Sequence, residues 1–287
     1  MLTLRNLVIV VVGFGLQTPA LPATGKTSTY LALGDSISFG LDPKLIPTLP
    51  GQPLPDPSQF TGYPEVIASI DARFDHEVNS SCPGETSSSF ISGPPDNGCS
   101  GVGPTGQGPF KPTIGLHTKY SGTQLDFAVS QLAGNKSIKL VTLSIGANDA
   151  LVALANCTIA GGDVPACIAT QLPITLDAYG RNLAYILTAI RSKYSGVLIL
   201  VGNYSPSSNF DSVALGLNAV MSQVGTLFGA KLADGFTAFQ LASALKGGDP
   251  CKAGLLIPLG SGTCDVHPSR IGQDVLAAAV EVAIAKR

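Results

Sequence analysis

Short apolar runs rich in β-branched or large side chains punctuate the chain at residues 30–33, 140–144 and 197–201, with a weaker run at 231–234 and a further candidate at 76–79. Runs of that length read as strands buried on both faces. Between them the apolar positions change period. In 122–134, Leu125, Ala128, Val129 and Leu132 recur every three or four residues, and in 176–194, Leu183, Ile186, Leu187 and Ile190 do the same. The last segment, 270–286, carries Ile271, Val275, Leu276, Ala279 and Val282 on one face and is expected to close the domain. Strands separated by segments long enough for crossover helices predict a three-layer α/β/α fold around a central parallel sheet.

Two stretches break both periods. Residues 42–59 hold prolines at 43, 47, 50, 53, 55 and 57, and residues 92–115 are dense in glycine and proline. Each follows a predicted strand, so both are expected over the carboxyl edge of the sheet, where folds of this type bind ligands. Leu41, Leu45, Ile46, Leu49, Leu54 and Phe60 lie in or beside the first stretch and are read as apolar walls of a cleft.

The 287 residues suffice for one substantial core, and nothing marks an internal boundary. Charged residues are only 13% and the net charge is −2, so no basic surface exists to hold a polyanion, and nucleic acid is not expected as a partner. At the N-terminus, Arg5 precedes an apolar run from Leu7 to Leu16 and a proline-interrupted stretch to Ala23. That is the layout of a signal peptide, assigned to 1–23, with a single domain over 24–287. The run is about half the ~20 residues a bilayer span needs, so no stable membrane anchor is expected. The reading is a secreted or periplasmic monomer.

Export agrees with six cysteines. The simplest pairing is sequential: Cys82 with Cys99, Cys157 with Cys167, Cys251 with Cys264. No Cys-x-x-Cys occurs and only His76, His117 and His267 could join a metal site, so no metal and no cofactor are expected.

The candidate chemistry begins at Gly34-Asp35-Ser36, where the first strand ends and a hydroxyl is placed at its tip. A serine needs a base, and His267, before the final helix and stiffened by Pro268, is the candidate; His76 and His117 read as solvated or structural. Charge developing on an ester carbonyl oxygen needs donors. The backbone N–H groups of Ser36 and Gly84 and the side-chain amide of Asn148 are available. Asp35 and Asp149 read as structural acids bonding nearby backbone N–H groups.

Gly34-Asp-Ser36, Ser81-Cys-Pro-Gly84-Glu-Thr, Ile145-Gly-Ala-Asn148-Asp and Asp265-Val-His267-Pro, in that order, resemble the SGNH (GDSL-type) hydrolases, with Cys-Pro-Gly-Glu-Thr especially like bacterial extracellular esterases and lipases. The resemblance implies a flavodoxin-like sheet, nucleophile Ser36, base His267, and an oxyanion hole from Ser36, Gly84 and Asn148. Ile37 replaces the usual leucine. A larger departure concerns the acid, which the family places three residues before the histidine, where this chain has Cys264. Two groups remain to orient the ring: Asp265, two residues before it, which reaches the ring in an extended turn but points to the opposite side in a helical one, or, by a second solution that the resemblance implies, a backbone carbonyl three residues before the histidine, here that of Cys264 clamped by its disulfide to Cys251, which the reading favours. All three staples are expected to steady loops bearing catalytic groups. The function expected is a secreted serine esterase or lipase acting on a small-molecule or lipid ester. Its rivals are a carbohydrate acetyl esterase, set second because the chain has no Trp for sugar stacking, a phospholipase working at membrane surfaces, and a catalytically silent exported binding module.

Overall fold

A computed structural model describes residues 27–47, 52–93 and 98–286; the expected signal peptide and the cleft residue Leu49 lie outside them. In chain order the elements are β1 (Thr29–Gly34), α1 (Ser36–Phe39), α2 (Tyr63–Ile70), β2 (His76–Asn79), α3 (Ser87–Ser92), α4 (Phe110–Thr113), α5 (Gln124–Gly134), β3 (Ile138–Ser144) and α6 (Ala147–Ala160). There follow α7 (Val164–Arg191), β4 (Val197–Val201), α8 (Asp211–Leu227), β5 (Lys231–Ala233), α9 (Gly235–Ser243), β6 (Leu256–Gly260), β7 (Thr263–Pro268) and α10 (Arg270–Ala285).

The first five strands form one parallel sheet in the order β2-β1-β3-β4-β5, the flavodoxin-like order. The period of two in each strand divides the core between two layers. Leu31, Leu33, Val141, Leu143, Leu198 and Leu200 pack against α5, α7 and α8 on one face. Tyr30, Ala32, Leu140, Ile199 and Val201 pack against α2, α9 and α10 on the other. Every residue of β1 is buried, which is why its sequence is a continuous apolar run rather than an alternating one.

Sequence order turns back between β1 and β3, and the crevice at that switch point receives the segments leaving both strands. One delivers Asp35 and Ser36, the other Asn148. The five predicted strands and the three-layer arrangement are present. Helix α7 departs from expectation by starting at Val164 rather than near residue 176, running through Pro173. An interior proline removes one i→i−4 bond, but packing of Tyr179, Leu183, Ile186, Leu187 and Ile190 beyond it anchors the helix in the core. Helices α6, α8 and α9 and the antiparallel β6–β7 hairpin were not expected. Pro258 and Pro268 hide the hairpin, since proline argues against a central strand, yet in a two-stranded ribbon both strands are edges that tolerate it.

The three sequential disulfides are formed. No helix among the described residues is long and apolar enough to cross a membrane.

Candidate active site

Ser36 opens α1 directly after β1. Asp35 caps that turn, its carboxylate accepting from the Ile37 N–H at 3.0 Å, and Gln273 holds the turn from α10 by donating to the Ile37 carbonyl at 3.1 Å. The Ser36 side chain is thereby aimed at the sheet's carboxyl edge. Its Oγ lies 2.8 Å from Nε2 of His267.

His267 stands in strand β7, an extended element that the sequence reading did not place. That difference settles which group holds its ring. In an extended strand residues i and i+2 share a face, so Asp265 lies beside His267, and Nδ1 bonds Asp265 Oδ1, which also accepts the His267 backbone N–H at 2.9 Å. The Cys264 carbonyl favoured from sequence is not the partner; the helical-turn geometry that disqualified Asp265 does not apply here. Burial would raise the Asp265 pKa, but the His267 hydrogen bond and charge outweigh it and hold the carboxyl below its ordinary value. Disulfide Cys251–Cys264 ties this strand at the residue before Asp265.

Gly84 sits in the turn Cys82-Pro83-Gly84-Glu85, closed by the Glu85 N–H donating to the Cys82 carbonyl at 3.2 Å. Proline followed by a glycine at φ +79° is the signature of a type II turn. A Cβ on Gly84 would lie 2.5 Å from the Gly98 backbone, so both conformation and space demand glycine. The Cys82–Cys99 disulfide holds that neighbouring segment. Asn148 occupies the first turn of α6, one amide hydrogen donated to the Glu85 carbonyl at 3.0 Å; an amide has two, leaving one for another acceptor. Ser36, Gly84, Asn148 and His267 all line one cavity of about 670 Å³.

Several residues that sequence reading passed over hold this site together. Gln124, 1% exposed, pairs its amide with both backbone groups of Gly34, accepting from the N–H at 2.6 Å and donating to the carbonyl at 2.9 Å. It also donates to Glu85 at 3.1 Å, so one side chain joins the strand before Ser36 to the loop after Gly84. Burial pushes Glu85 and Asp35 up to about 7, against the lowering by Ser89 and Gln124 at Glu85 and by the Ile37 N–H at Asp35. Asp149 accepts from the backbone and hydroxyl of Ser87 at 2.9 and 2.5 Å; burial raises its pKa, and these bonds oppose the rise. A buried glutamine carries no periodic or motif signal, which is why Gln124 was missed.

His117 is elsewhere, its Nε2 3.0 Å from the Phe39 carbonyl and its ring 4.7 Å from that of Phe39, and His76 is exposed in β2. Of the expected wall residues, Leu41 and Ile46 line the cavity. Phe60 instead packs in a separate core cluster with Phe39 and Cys82, Leu45 rests on that cluster, and Leu54 faces solvent. Cys82, Glu85 and Cys99 lie close enough to suggest a metal site, but both sulfurs are spent in the disulfide and offer no thiolate.

A serine, an imidazole and a carboxylate in hydrogen-bonded series, beside a glycine turn and an asparagine amide, have the geometry of an acyl-transfer centre. Solved structures share the fold. Phospholipase A1 from Streptomyces albidoflavus NA297 matches at 18% identity and a TM-score of 0.57, over 90% of this chain and 99% of its own. Axe2, an acetylxylan esterase from Geobacillus stearothermophilus, matches at 17% identity and 0.53, over 91% and 97%. LAE5, an alpha/beta hydrolase enzyme from the metagenome of Lake Arreo, matches at 17% and 0.52, over 89% and 94%. No curated protein matches the sequence. The fold is therefore that of the SGNH hydrolases. Residues 32–275 match the GDSL-like lipase/acylhydrolase family, and the chain belongs to that family of ester hydrolases.

Proposed function

We propose that the protein is an exported serine esterase that hydrolyses carboxylic esters through an acyl-enzyme on Ser36. The observation that carries this reading is the hydrogen-bonded series from Ser36 through His267 to Asp265, set in an apolar cavity at the sheet's switch point. Ser36 Oγ attacks the ester carbonyl carbon as its proton passes to Nε2 of His267. The Asp265 carboxylate keeps the ring in the tautomer that can accept it and steadies the imidazolium. The tetrahedral oxyanion is met by the N–H groups of Ser36 and Gly84 and the free amide hydrogen of Asn148. Collapse expels the alcohol, which takes the proton from His267. Water then attacks the acyl-enzyme, its proton going to His267 and returning to Ser36 Oγ as the acid leaves. No step calls for a metal or cofactor. Three disulfides support the exported, oxidising compartment.

The test is labelling by a fluorophosphonate probe together with hydrolysis of p-nitrophenyl butyrate. Labelling and turnover that vanish together in Ser36→Ala are expected; folded wild type that neither labels nor hydrolyses the ester is a binding module instead.

A further inference from the structure

The cavity at Ser36 is far larger than the reaction centre requires, and one continuous part of its wall comes from helices that carry none of the proposed triad. Ala150 and Leu154 of α6, Leu172 of α7, and Val213, Ala214 and Leu217 of α8 line it. Ala214 and Leu217 are 4% and 2% exposed, so the wall reaches well below the surface. We infer that α6, α7 and α8 form a dedicated channel for the acyl chain of a neutral aliphatic ester with about eight or more acyl carbons. This inference rests on the hydrolase reading above and deepens it.

Three observations converge. Asn148 lies in the first turn of α6, so a carbonyl oxygen seated at its amide has α6 immediately beside it, and the group attached to that carbonyl runs along the helix. Leu154 lies about 9 Å farther along the axis, roughly the reach of an extended chain of seven or eight carbons. The small side chains of Ala150 and Ala153 on α6 and Ala214 on α8 leave the width that such a chain fills. Lastly, among the described residues lining the cavity, Asp35 and His267 are the only acidic or basic ones, and both belong to the serine's end. A phosphate or other charged group has no countercharge there, whereas methylenes find apolar side chains along α6, α7 and α8; the polar Gln107, Asn203, Tyr204 and Asn209 line the cavity outside those helices.

The channel has an unusual fastening. Helices α6 and α7 are joined by Cys157–Cys167, next to the lining residue Ile168. The bridge thus holds the two helices at one end of the channel wall.

The experiment compares kcat/KM for p-nitrophenyl esters from acetate to palmitate in wild type, Ala150→Phe and Ala214→Phe, with thermal melts to verify folding. Burial of each methylene is worth up to about fourfold, so wild-type kcat/KM is expected to climb with chain length to decanoate or beyond. Either phenylalanine should lower the decanoate-to-acetate ratio at least tenfold by filling the channel. Two substitutions on different helices keep the test open if one fails to fold. Wild type fastest on acetate, or a ratio changed less than twofold in the folded variant, overturns the channel; fluorophosphonate labelling that persists then leaves the hydrolase reading standing. Loss of both labelling and all ester hydrolysis in folded wild type overturns the hydrolase reading itself and the channel with it.

Discussion

Asp265 illustrates how one residue's role depends on backbone shape. Placed two before His267, it faces the ring because β7 is extended, and its depressed pKa keeps it ionised at neutral pH. Asp265→Asn is expected to lower kcat by up to about 10⁴-fold, because an amide can donate to Nδ1 and favour the wrong tautomer. Steady-state rates at constant fold, verified by circular dichroism, check this; near-normal kcat would return the orienting task to a backbone carbonyl. Gly84 is a second case of a residue set by its surroundings. The Gly98 backbone and the positive φ together forbid a side chain there.

Among elements, the β6–β7 hairpin is small but carries both Asp265 and His267. It is fastened by Cys251–Cys264 and by packing of Leu255 and Leu256 in the α10 layer. Closing a loop of this size contributes about 2–4 kcal/mol. In Cys251→Ser/Cys264→Ser, activity should fall at least tenfold at temperatures where the protein remains folded, since the hairpin loses its tether while the parallel sheet keeps its own core. Full activity in the folded double variant would confine the bridge to global stability. The hairpin was illegible in sequence because prolines 258 and 268 read as breakers. Helix α6 was not placed because, of its fourteen residues from Ala147, only Cys157 is buried, so the segment carries no core-facing apolar stripe. By contrast β1, β3 and β4 are buried on both faces, and such strands announce themselves as continuous apolar runs.

At the scale of the whole molecule, buried acids set how stability responds to pH. Asp35 and Glu85 are raised to about 7 by burial, above the ordinary carboxylate values near 4 that they would have unfolded. Between those limits the folded protein binds more protons than the unfolded chain, so these groups stabilise the fold at low pH and that contribution is lost as pH rises toward 7. Denaturant unfolding should therefore give a free energy declining from about pH 5 to pH 7, each such group adding at most about 1.4 kcal/mol per pH unit. Glu85→Gln should make the decline shallower. A slope unchanged in that variant would mean that Glu85 titrates normally. Asp265 has the opposite sign, its stabilisation being lost only as pH falls below the usual carboxylate range.

What the amino-acid sequence by itself determined is local in character: the buried strands, the order of the motif blocks, the sequential cysteine pairs and the choice of Ser36, Gly84, Asn148 and His267 as candidates. Each is written in a short window, as an apolar run, a turn signature or a chemically distinctive side chain. What only the tertiary structure decided is relational. That Asp265 rather than a carbonyl meets His267, that Gln124 bonds both Gly34, ninety residues before it, and Glu85, thirty-nine before it, and that residues of α6, α7 and α8 line the cavity at Ser36 all depend on distant segments meeting. Hydrogen bonds and cavities of that kind arise from packing, and packing leaves no periodic trace in the chain.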